Sequence, residues 1–383
     1  MIVERTPVAS LLIIAAAAGA IVHSVPASAG DIRAQEWHLT FLRVKEAQQI
    51  TTGAGITVAV VDTGVHPHPD VRKNLLKGTD VVEGGEGNGQ VDQDGHGTEM
   101  AGLIASHGQI DEGGILGIAP SARILPIKDA NDQDGGGSLT IADGVSWAAS
   151  HGARVINVSA ATGPSLRLND AIEAGQKEDA VIVAGAGNRP QMLQFGYPAA
   201  MPGVLAVGAV DRHGRHVASS MTGPAVQICA PGVDIVTTEP PNKYVSISGT
   251  SPATAIVSGA AALVRAKFPQ LSAQEVIHRL TATATDIGPP GRDDECGYGV
   301  LNIVKALTAD VPPLSAATTA SATPSRTSSA LPPRAETPAS IAIRLFAGSA
   351  VVVVLGMLAA VLLVRRRRSS AEHRGEKSDS PGL

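Results

Sequence analysis

The stretch Ile56-Thr-Val-Ala-Val-Val-Asp62-Thr-Gly64 decides the fold of this 383-residue chain. Its unbroken apolar run is typical of a strand buried on both faces, as in the parallel sheets of α/β proteins. An aspartate and a glycine turn end the run, and active sites of open α/β sheets lie at this carboxyl end of the strands. Taken alone, Asp62-Thr-Gly64 is equally well explained as a turn that ends a strand.

Two more Gly/Thr-rich motifs carry side chains that would complement this aspartate. His96 lies in Asp94-Gly-His-Gly-Thr98, and Ser251 ends Ser248-Gly-Thr-Ser251. His96 follows Asp62 by 34 residues, and Ser251 follows His96 by 155. Either motif alone could be a surface loop or a turn. Together, in this order, the three predict a catalytic Asp-His-Ser triad.

Each of the three side chains has its own part in nucleophilic catalysis. A serine hydroxyl is a weak nucleophile at neutral pH, so Ser251 needs His96 as a base that later protonates the leaving amine. Asp62 would fix the tautomer of His96 and stabilise the imidazolium. An apolar helix is predicted over Pro252–Lys267, capped by Thr250 or Ser251, so that the serine lies at the positive end of the helix dipole.

These motifs make the chain resemble the subtilisin family of serine endopeptidases over roughly residues 50–307, with a catalytic domain at 53–307. The resemblance implies an α/β fold with three layers around a mostly parallel central sheet. The sequence agrees, because several apolar runs alternate with helical stretches. These runs are 58–61, 155–158, 181–184 and 204–210.

A fourth catalytic group is predicted in Val181-Ile-Val-Ala-Gly-Ala-Gly-Asn188, an apolar strand that runs into a glycine turn. The resemblance implies that the side-chain amide of Asn188 donates a hydrogen bond to the oxyanion that forms on the substrate. An isolated Gly-Asn pair has a simpler explanation, since asparagine tolerates left-handed turns.

The resemblance also implies that a peptide substrate binds as an added strand between two backbone segments. The first contains Asp134-Gly135-Gly136, and the second is Ser159-Ala160-Ala161. Family members usually have Ser-Leu-Gly in the second segment, so the methyl group of Ala161 predicts a narrower or differently shaped primary pocket. Pro252, directly after the nucleophile, is a second departure with the same implication.

Composition limits the partners. The formal net charge of −5 argues against a nucleic-acid partner. Cys229 and Cys296 are the two cysteines of the chain. Outside a membrane they could close a 67-residue loop, worth about 4 kcal/mol in the chain-entropy model, or they could be two separate buried thiols.

The predicted chemistry requires no cofactor, and no metal site is assigned. A structural calcium ion remains open, because loops of this family often bind calcium, although no segment has the EF-hand pattern. The candidate carboxylates are Asp92, Asp94, Asp129, Asp132 and Asp134.

The N-terminal end predicts export. Residues 1–29 combine Arg5, an apolar run over 11–22 and an Ala27-Ser-Ala29 cleavage pattern, which is typical of a secretory signal peptide. A short extension, 30–52, precedes the catalytic domain.

The C-terminal end predicts an anchor. Residues 308–340 are rich in Pro, Ser, Thr and Ala and indicate an extended linker. Residues 345–364 contain no charge and would span about 30 Å as a helix, enough to cross a bilayer. Four arginines open the tail 365–383, so the positive-inside rule predicts a cytoplasmic C-terminus and an extracellular catalytic domain in a single-pass cell-membrane protein.

This layout, together with Gln35-Glu-Trp37-His-Leu-Thr-Phe41, resembles one subgroup, the mycosins. Mycosins are membrane-anchored serine proteases of actinobacterial type VII secretion systems, so the resemblance implies exported protein substrates and secretion-machinery partners. Two alternatives remain open. The chain could be a structural subunit of a secretion complex whose proteolysis is dispensable, or a surface protease of broad specificity.

Overall fold

The computed structural model describes residues 23–24, 29–108, 113–130, 137–192 and 194–314. The strands are β1 (His23–Ser24), β2 (Thr57–Asp62), β3 (Thr79–Asp80), β4 (Arg123–Lys128), β5 (Val155–Val158), β6 (Val181–Gly185), β7 (Leu205–Val210), β8 (Ile228–Pro231), β9 (Ile235–Glu239) and β10 (Lys243–Ile247). The helices are α1 (Ala29–Gln35), α2 (Trp37–Phe41), α3 (Val44–Ile50), α4 (His96–Ala105), α5 (Ser138–Ser150), α6 (Leu166–Lys177), α7 (Thr250–Lys267), α8 (Ala273–Ala282) and α9 (Ile303–Thr308).

The main sheet has seven strands in the order β3-β4-β2-β5-β6-β7-β8, and every neighbouring pair is parallel. The strand β2, which was predicted from the opening stretch, lies inside the sheet between β4 and β5. The predicted runs at 155–158, 181–184 and 204–210 contribute β5, β6 and β7. The predicted α/β architecture with a mostly parallel central sheet is therefore confirmed.

Helices cover both faces of this sheet. Alternate residues of β2 point to opposite sides, so Val58 and Val60 belong to one apolar cluster while Ala59 and Val61 belong to another. The first cluster is shared with α4 and α7, and the second with α5 and α6. Because both faces of β2 are buried in this arrangement, its residues must be apolar on both sides of the sheet.

The helix predicted over Pro252–Lys267 starts two residues earlier than predicted. The helix α7 begins at Thr250, and the residue before it is Gly249 with a φ of 145°, so neither Thr250 nor Ser251 is the cap. The prediction of the cap was wrong because the side-chain oxygen that caps this helix comes from a distant loop, as described below.

The predicted N-terminal extension packs onto the rest of the fold. Ile32 is fully buried with Ile115, and Glu36 accepts a hydrogen bond from the backbone of Leu116 at 3.1 Å. The indole of Trp37 donates to the carbonyl of Val233 at 3.2 Å. These attachment points contain none of the predicted site residues.

A buried ion pair holds the turn between α6 and β6. Asp179, in a left-handed conformation, accepts hydrogen bonds from Arg265 at 2.9 Å and from Arg154 at 2.7 Å. The side chain of Arg265 is 1% exposed, so this carboxylate, rather than water, balances its positive charge.

We expect Asp179→Ala to destabilise the fold by about 3 kcal/mol, because it leaves the buried guanidinium of Arg265 without a counter-charge. The estimate is at the lower end of the usual range, since Asp179 itself retains 37% of its side-chain exposure. The midpoint of urea unfolding, followed by tryptophan fluorescence, measures the effect. Asp179→Asn is the matched control, because asparagine also tolerates the left-handed backbone. An equal loss in both variants is expected, because both remove the charge. An Asp179→Asn protein as stable as the wild type would contradict a role for the charge and point to the hydrogen bonds and the left-handed backbone, which asparagine retains.

Several predicted segments lie outside the described residues. These are most of the signal peptide 1–29, the linker from residue 315 onward, the membrane segment 345–364 and the tail 365–383. None of the helices within residues 23–314 that the structure describes combines the length and the apolar character needed to span a bilayer.

Candidate active site

The aspartate and the histidine meet at the carboxyl edge of the main sheet. Asp62 is the last residue of β2, and His96 is the first residue of α4. Oδ1 of Asp62 lies 2.7 Å from Nδ1 of His96 and also accepts the backbone N–H of Thr63 at 2.8 Å. The imidazole retains 28% exposure while the carboxylate retains 3%, so the far side of the ring is open to a substrate.

Glycine is required next to the histidine. A Cβ atom at Gly97 would lie 2.0 Å from the carbonyl oxygen of Gly64. This close approach of α4 to the turn after β2 is what brings His96 within hydrogen-bonding distance of Asp62. The glycine in the Gly-His-Gly motif therefore has a packing reason.

Asp92 organises the loop that leads to the histidine. Its Oδ1 accepts hydrogen bonds from Thr63 Oγ1 at 2.9 Å and from Gly95 N at 2.8 Å, and its Oδ2 accepts those of the backbone and hydroxyl of Thr98. The sequence suggested Asp92 only as a candidate calcium ligand. The sequence signal for its role in holding this loop was its position two residues before Asp94.

Asn188 links the glycine turn after β6 to α7, the helix that carries Ser251. Its Oδ1 accepts the backbone N–H of Thr250 at 3.0 Å, which caps one of the first N–H groups of α7. The amide Nδ2 is then the free end of the side chain, and a Cβ atom at Gly249 would lie 3.2 Å from it. Gly249 thus leaves room for the amide, which is oriented by the same helix whose first turn carries Ser251.

Ser251 lies in the first turn of α7, where its backbone N–H has no intrahelical acceptor. Its hydroxyl donates to the carbonyl of Ser159 at 3.1 Å. No hydrogen bond joins it to His96 in the part of the chain that the structure describes. The predicted contact with the base therefore requires the hydroxyl to rotate away from Ser159, which is common because catalytic hydrogen bonds often tighten only on substrate binding.

The electrostatics of the site favour a protonated His96. Burial is the largest single influence and opposes a positive charge on the ring, but the charge and hydrogen bond of Asp62, together with Glu99 and Asp94, outweigh it, so the pKa of the imidazole is raised above its usual value. Burial raises the pKa of Glu99, one turn along α4, to about 7, and the charge of Asp62 adds to this effect against the opposing influence of His96. Burial also raises the pKa of Asp129 well above its usual range, again with a contribution from Asp62. Glu99 and Asp129 thus keep their protons more readily than an ordinary carboxyl group.

The predicted substrate segments are described in part. Ser159-Ala160-Ala161 directly follows β5, and the next residue, Thr162, exchanges backbone hydrogen bonds of 2.9 and 3.0 Å with Tyr197. A Cβ atom at Gly196 would lie 2.5 Å from the methyl group of Ala161. The backbone at Gly196 therefore packs closely against the methyl group of Ala161. Gly135 and Gly136 of the first segment lie outside the described residues.

The structure contains a disulfide between Cys229 in β8 and Cys296, with a sulfur–sulfur distance of 2.06 Å and a Cα–Cα distance of 5.0 Å. It ties the edge of the main sheet to the segment before α9. Of the two arrangements that the sequence left open, the structure has the bridge.

Metal ligands do not cluster in the described residues. Within 23–24, 29–108, 113–130, 137–192 and 194–314, no group of three or more His, Cys, Asp or Glu side chains could hold a metal ion. Asp132 and Asp134, two of the candidate calcium ligands, lie outside these ranges.

Comparison with known proteins identifies relatives of this chain. The sequence model of the Peptidase S8 subtilase family matches residues 53–299. A thermostable alkaline protease of Halalkalibacterium halodurans is 37% identical over 257 residues, which cover 66% of this chain and 69% of that protein. Mycosin-1 of Mycobacterium tuberculosis is 37% identical over 334 residues, with 72% of this chain and 74% of that protein covered.

Solved structures show the same relationship. The crystal structure of MycP1 without its N-terminal propeptide superposes with a TM-score of 0.65 at 34% identity, covering 72% of this chain and 98% of that one. A structure of the periplasmic assembly from the ESX-5 inner membrane complex gives a TM-score of 0.69 at 32% identity, covering 83% of this chain and 92% of that one.

Proposed function

This chain belongs to the subtilase family of serine endopeptidases, and on that basis we propose that it cleaves exported proteins outside the cell membrane with Asp62, His96 and Ser251 as its catalytic triad. The observation that carries the proposal is the 2.7 Å contact between Asp62 and His96 at the sheet edge where α7 presents Ser251.

The geometry supports the following reaction. The hydroxyl of Ser251 rotates from the Ser159 carbonyl to Nε2 of His96, which takes its proton as Oγ attacks the scissile carbonyl carbon. Asp62 holds Nδ1 of the ring and stabilises the imidazolium. His96 then protonates the leaving amine, and an acyl-enzyme on Ser251 remains. Water attacks this acyl group while His96 takes its proton, and His96 then returns the proton to Ser251 Oγ as the carboxylic acid product leaves.

Two hydrogen-bond donors are available for the oxyanion. The backbone N–H of Ser251 lies in the first turn of α7, where the helix dipole also favours negative charge. The free Nδ2 of Asn188 is oriented by the bond between its Oδ1 and Thr250. Both donors are fixed before the substrate binds, which is the requirement for stabilising charge that appears only in the transition state.

The proposed location rests on the sequence. Residues 1–29 would direct export, 345–364 would anchor the chain in the lipid bilayer, and 308–340 would be the linker between anchor and catalytic domain. Similarity to Mycosin-1 and to a protein of the ESX-5 periplasmic assembly supports a role beside type VII secretion machinery.

Labelling of the full-length chain with a fluorophosphonate probe tests the proposal, because such probes react with a serine only when its base and oxyanion donors are assembled. We expect labelling of the wild type and none of Ser251→Ala. A folded wild type that stays unlabelled would overturn the assignment of an assembled triad.

A second candidate function is a structural subunit of a secretion complex, and the similarity to the ESX-5 assembly favours it. Comparing secretion in cells that carry Ser251→Ala with cells that lack the gene separates the two. Secretion that survives the substitution but not the deletion would support the structural role. A broad-specificity surface protease is the third candidate, and it requires general hydrolysis of casein.

The narrow space beside Ala161 favours peptides with a small side chain on the acyl side of the scissile bond. We expect Ala161→Gly to raise kcat/KM for a leucine peptide relative to an alanine peptide by roughly 10-fold, the usual size of a methylene-scale effect in an apolar pocket. Paired fluorogenic peptides that differ at this one position measure the ratio. Ala160→Gly, one residue away, is the control for added backbone freedom, and an equal change in both variants would contradict the role of the methyl group.

A further inference from the structure

Asn157 is a polar residue in an apolar strand. It is the third residue of β5 and is 0% exposed. Its neighbours across the sheet are Val60 in β2 and Val183 in β6, both also 0% exposed. An amide in such surroundings costs several kcal/mol unless its hydrogen bonds are satisfied, so its partners explain its presence.

The partners form a chain of hydrogen bonds that ends at the nucleophile. Oδ1 of Asn157 accepts the hydroxyl of Ser258 at 2.9 Å, and Nδ2 donates to Ser159 Oγ at 3.0 Å. Ser159 Oγ in turn donates to the carbonyl of Ser251 at 3.3 Å. Finally, Ser251 Oγ donates back to the carbonyl of Ser159 at 3.1 Å.

This chain attaches α7 to the end of β5 at two points. Ser251 and Ser258 are seven residues apart, which is about 10 Å along a helix axis. One amide thus joins the middle of the helix to the Ser159 turn, and that turn joins the first turn of the same helix. Two attachments on one helix fix both its position along the strand and its rotation.

We propose that Asn157 is a positioning residue of the peptidase reaction, whose carboxamide holds Ser159 and the first turn of α7 in the register that Ser251 needs to reach both His96 and the substrate carbonyl. The inference rests on the proposed function, because it concerns the same nucleophile. Asn157 touches no substrate itself and acts through Ser159 and Ser258.

Small errors in the position of the first turn of α7 lower the catalytic rate strongly. In the present structure the hydroxyl of Ser251 bonds to Ser159, so it must exchange that carbonyl for Nε2 of His96 during the reaction. If the Ser159 turn shifts, the starting point of this exchange and the backbone N–H of Ser251 shift with it. A displacement of about 1 Å by a distant mutation can cost on the order of 100-fold in rate.

The test compares Asn157→Ala with Val183→Ala in the full-length chain. Val183 lies beside Asn157 in the same buried layer, so its truncation also leaves a cavity but does not touch the hydrogen-bond chain. We expect Asn157→Ala to lower kcat roughly 10- to 100-fold with KM within about threefold of the wild type, whereas Val183→Ala keeps kcat near the wild-type value. Equal losses of kcat in two folded variants would overturn the proposal in favour of a general packing effect.

A second variant keeps the proposal falsifiable if Asn157→Ala does not fold. Ser258→Ala removes a single hydroxyl from the far end of the chain and should lower kcat to a smaller extent, again without raising KM. An unchanged kcat in this variant would count against the proposal.

The combination of Asn157→Ala with Ser159→Ala should lose no more activity than the worse single variant, because both break the same chain. Fully additive losses would contradict the linkage. Fluorophosphonate labelling of the wild type is measured alongside: an unlabelled wild type refutes the proposed function, whereas a labelled wild type with equal Asn157 and Val183 variants refutes only the positioning role.

Discussion

Ser251→Ala is expected to lower kcat for peptide hydrolysis roughly 10⁶-fold, which is the loss that subtilisin itself shows on removal of its nucleophile. The reason is that the remaining groups can bind a peptide and stabilise its oxyanion but cannot form the acyl-enzyme. The residual activity should come from the oxyanion donors, Asn188 Nδ2 and the backbone N–H at position 251, which alanine retains.

Rates of a fluorogenic peptide in the wild type and the variant measure this effect. Ser150→Ala, at the exposed end of α5, is the matched control and should leave kcat unchanged. A Ser251→Ala protein that still turns over within about 100-fold of the wild type would show that hydrolysis proceeds without this serine, since a loss that small is typical of a single oxyanion donor rather than of a nucleophile.

Asp62→Asn is expected to lower kcat about 10⁴-fold, as the equivalent change does in serine proteases of another fold. An asparagine amide can donate to Nδ1 and so stabilises the wrong tautomer of His96. The fold should be unaffected in shape, because asparagine replaces the buried carboxylate with a group of the same size.

Asp62→Asn should also change the pH dependence of kcat/KM. His96 acts as a base only when it is neutral, and Asp62 raises its pKa above the usual value, so kcat/KM of the wild type should rise with pH through an apparent pKa above about 6.5. Without the carboxylate, burial is the largest remaining influence and lowers the pKa of His96 against the opposing effect of Glu99 and Asp94, so the remaining activity should reach its plateau at a lower pH. A pH–rate profile of both proteins measures the shift, and an unchanged acidic limb would show that another group controls it.

Much of this site follows from sequence because its residues lie in local motifs with strict backbone demands. Asp62 ends an unbroken apolar strand, Gly97 leaves room for a close contact that no side chain would allow, and Gly249 has a φ of 145°, which other residues rarely adopt. The strands β5, β6 and β7 were predicted for the same reason as β2, since strands buried on both faces are apolar throughout.

The parts that the sequence did not reveal depend on contacts between distant residues. The cap of α7 comes from Asn188, which is 62 residues away, so a search of the local sequence for a capping side chain selected Thr250 or Ser251 instead. Asn157 carried no signal beyond a polar letter in an apolar run, and its partner Ser258 is 101 residues away. The rotation of the Ser251 hydroxyl toward Ser159 is a choice between two acceptors that only their positions in space decide.

The two ends of the Asn188 side chain have a consequence for which residues this position can accept during evolution. The oxygen must accept from Thr250 while the nitrogen faces the place where negative charge develops. Aspartate would still accept from Thr250 but would set a carboxylate against that charge, and a leucine of similar size would satisfy neither end. Glutamine has both groups but carries them one methylene farther out, so the bond to Thr250 and the position of the nitrogen cannot both be kept. Of these residues, asparagine alone satisfies both ends, so variants that keep the peptidase reaction should retain Asn188 in preference to aspartate, leucine or glutamine.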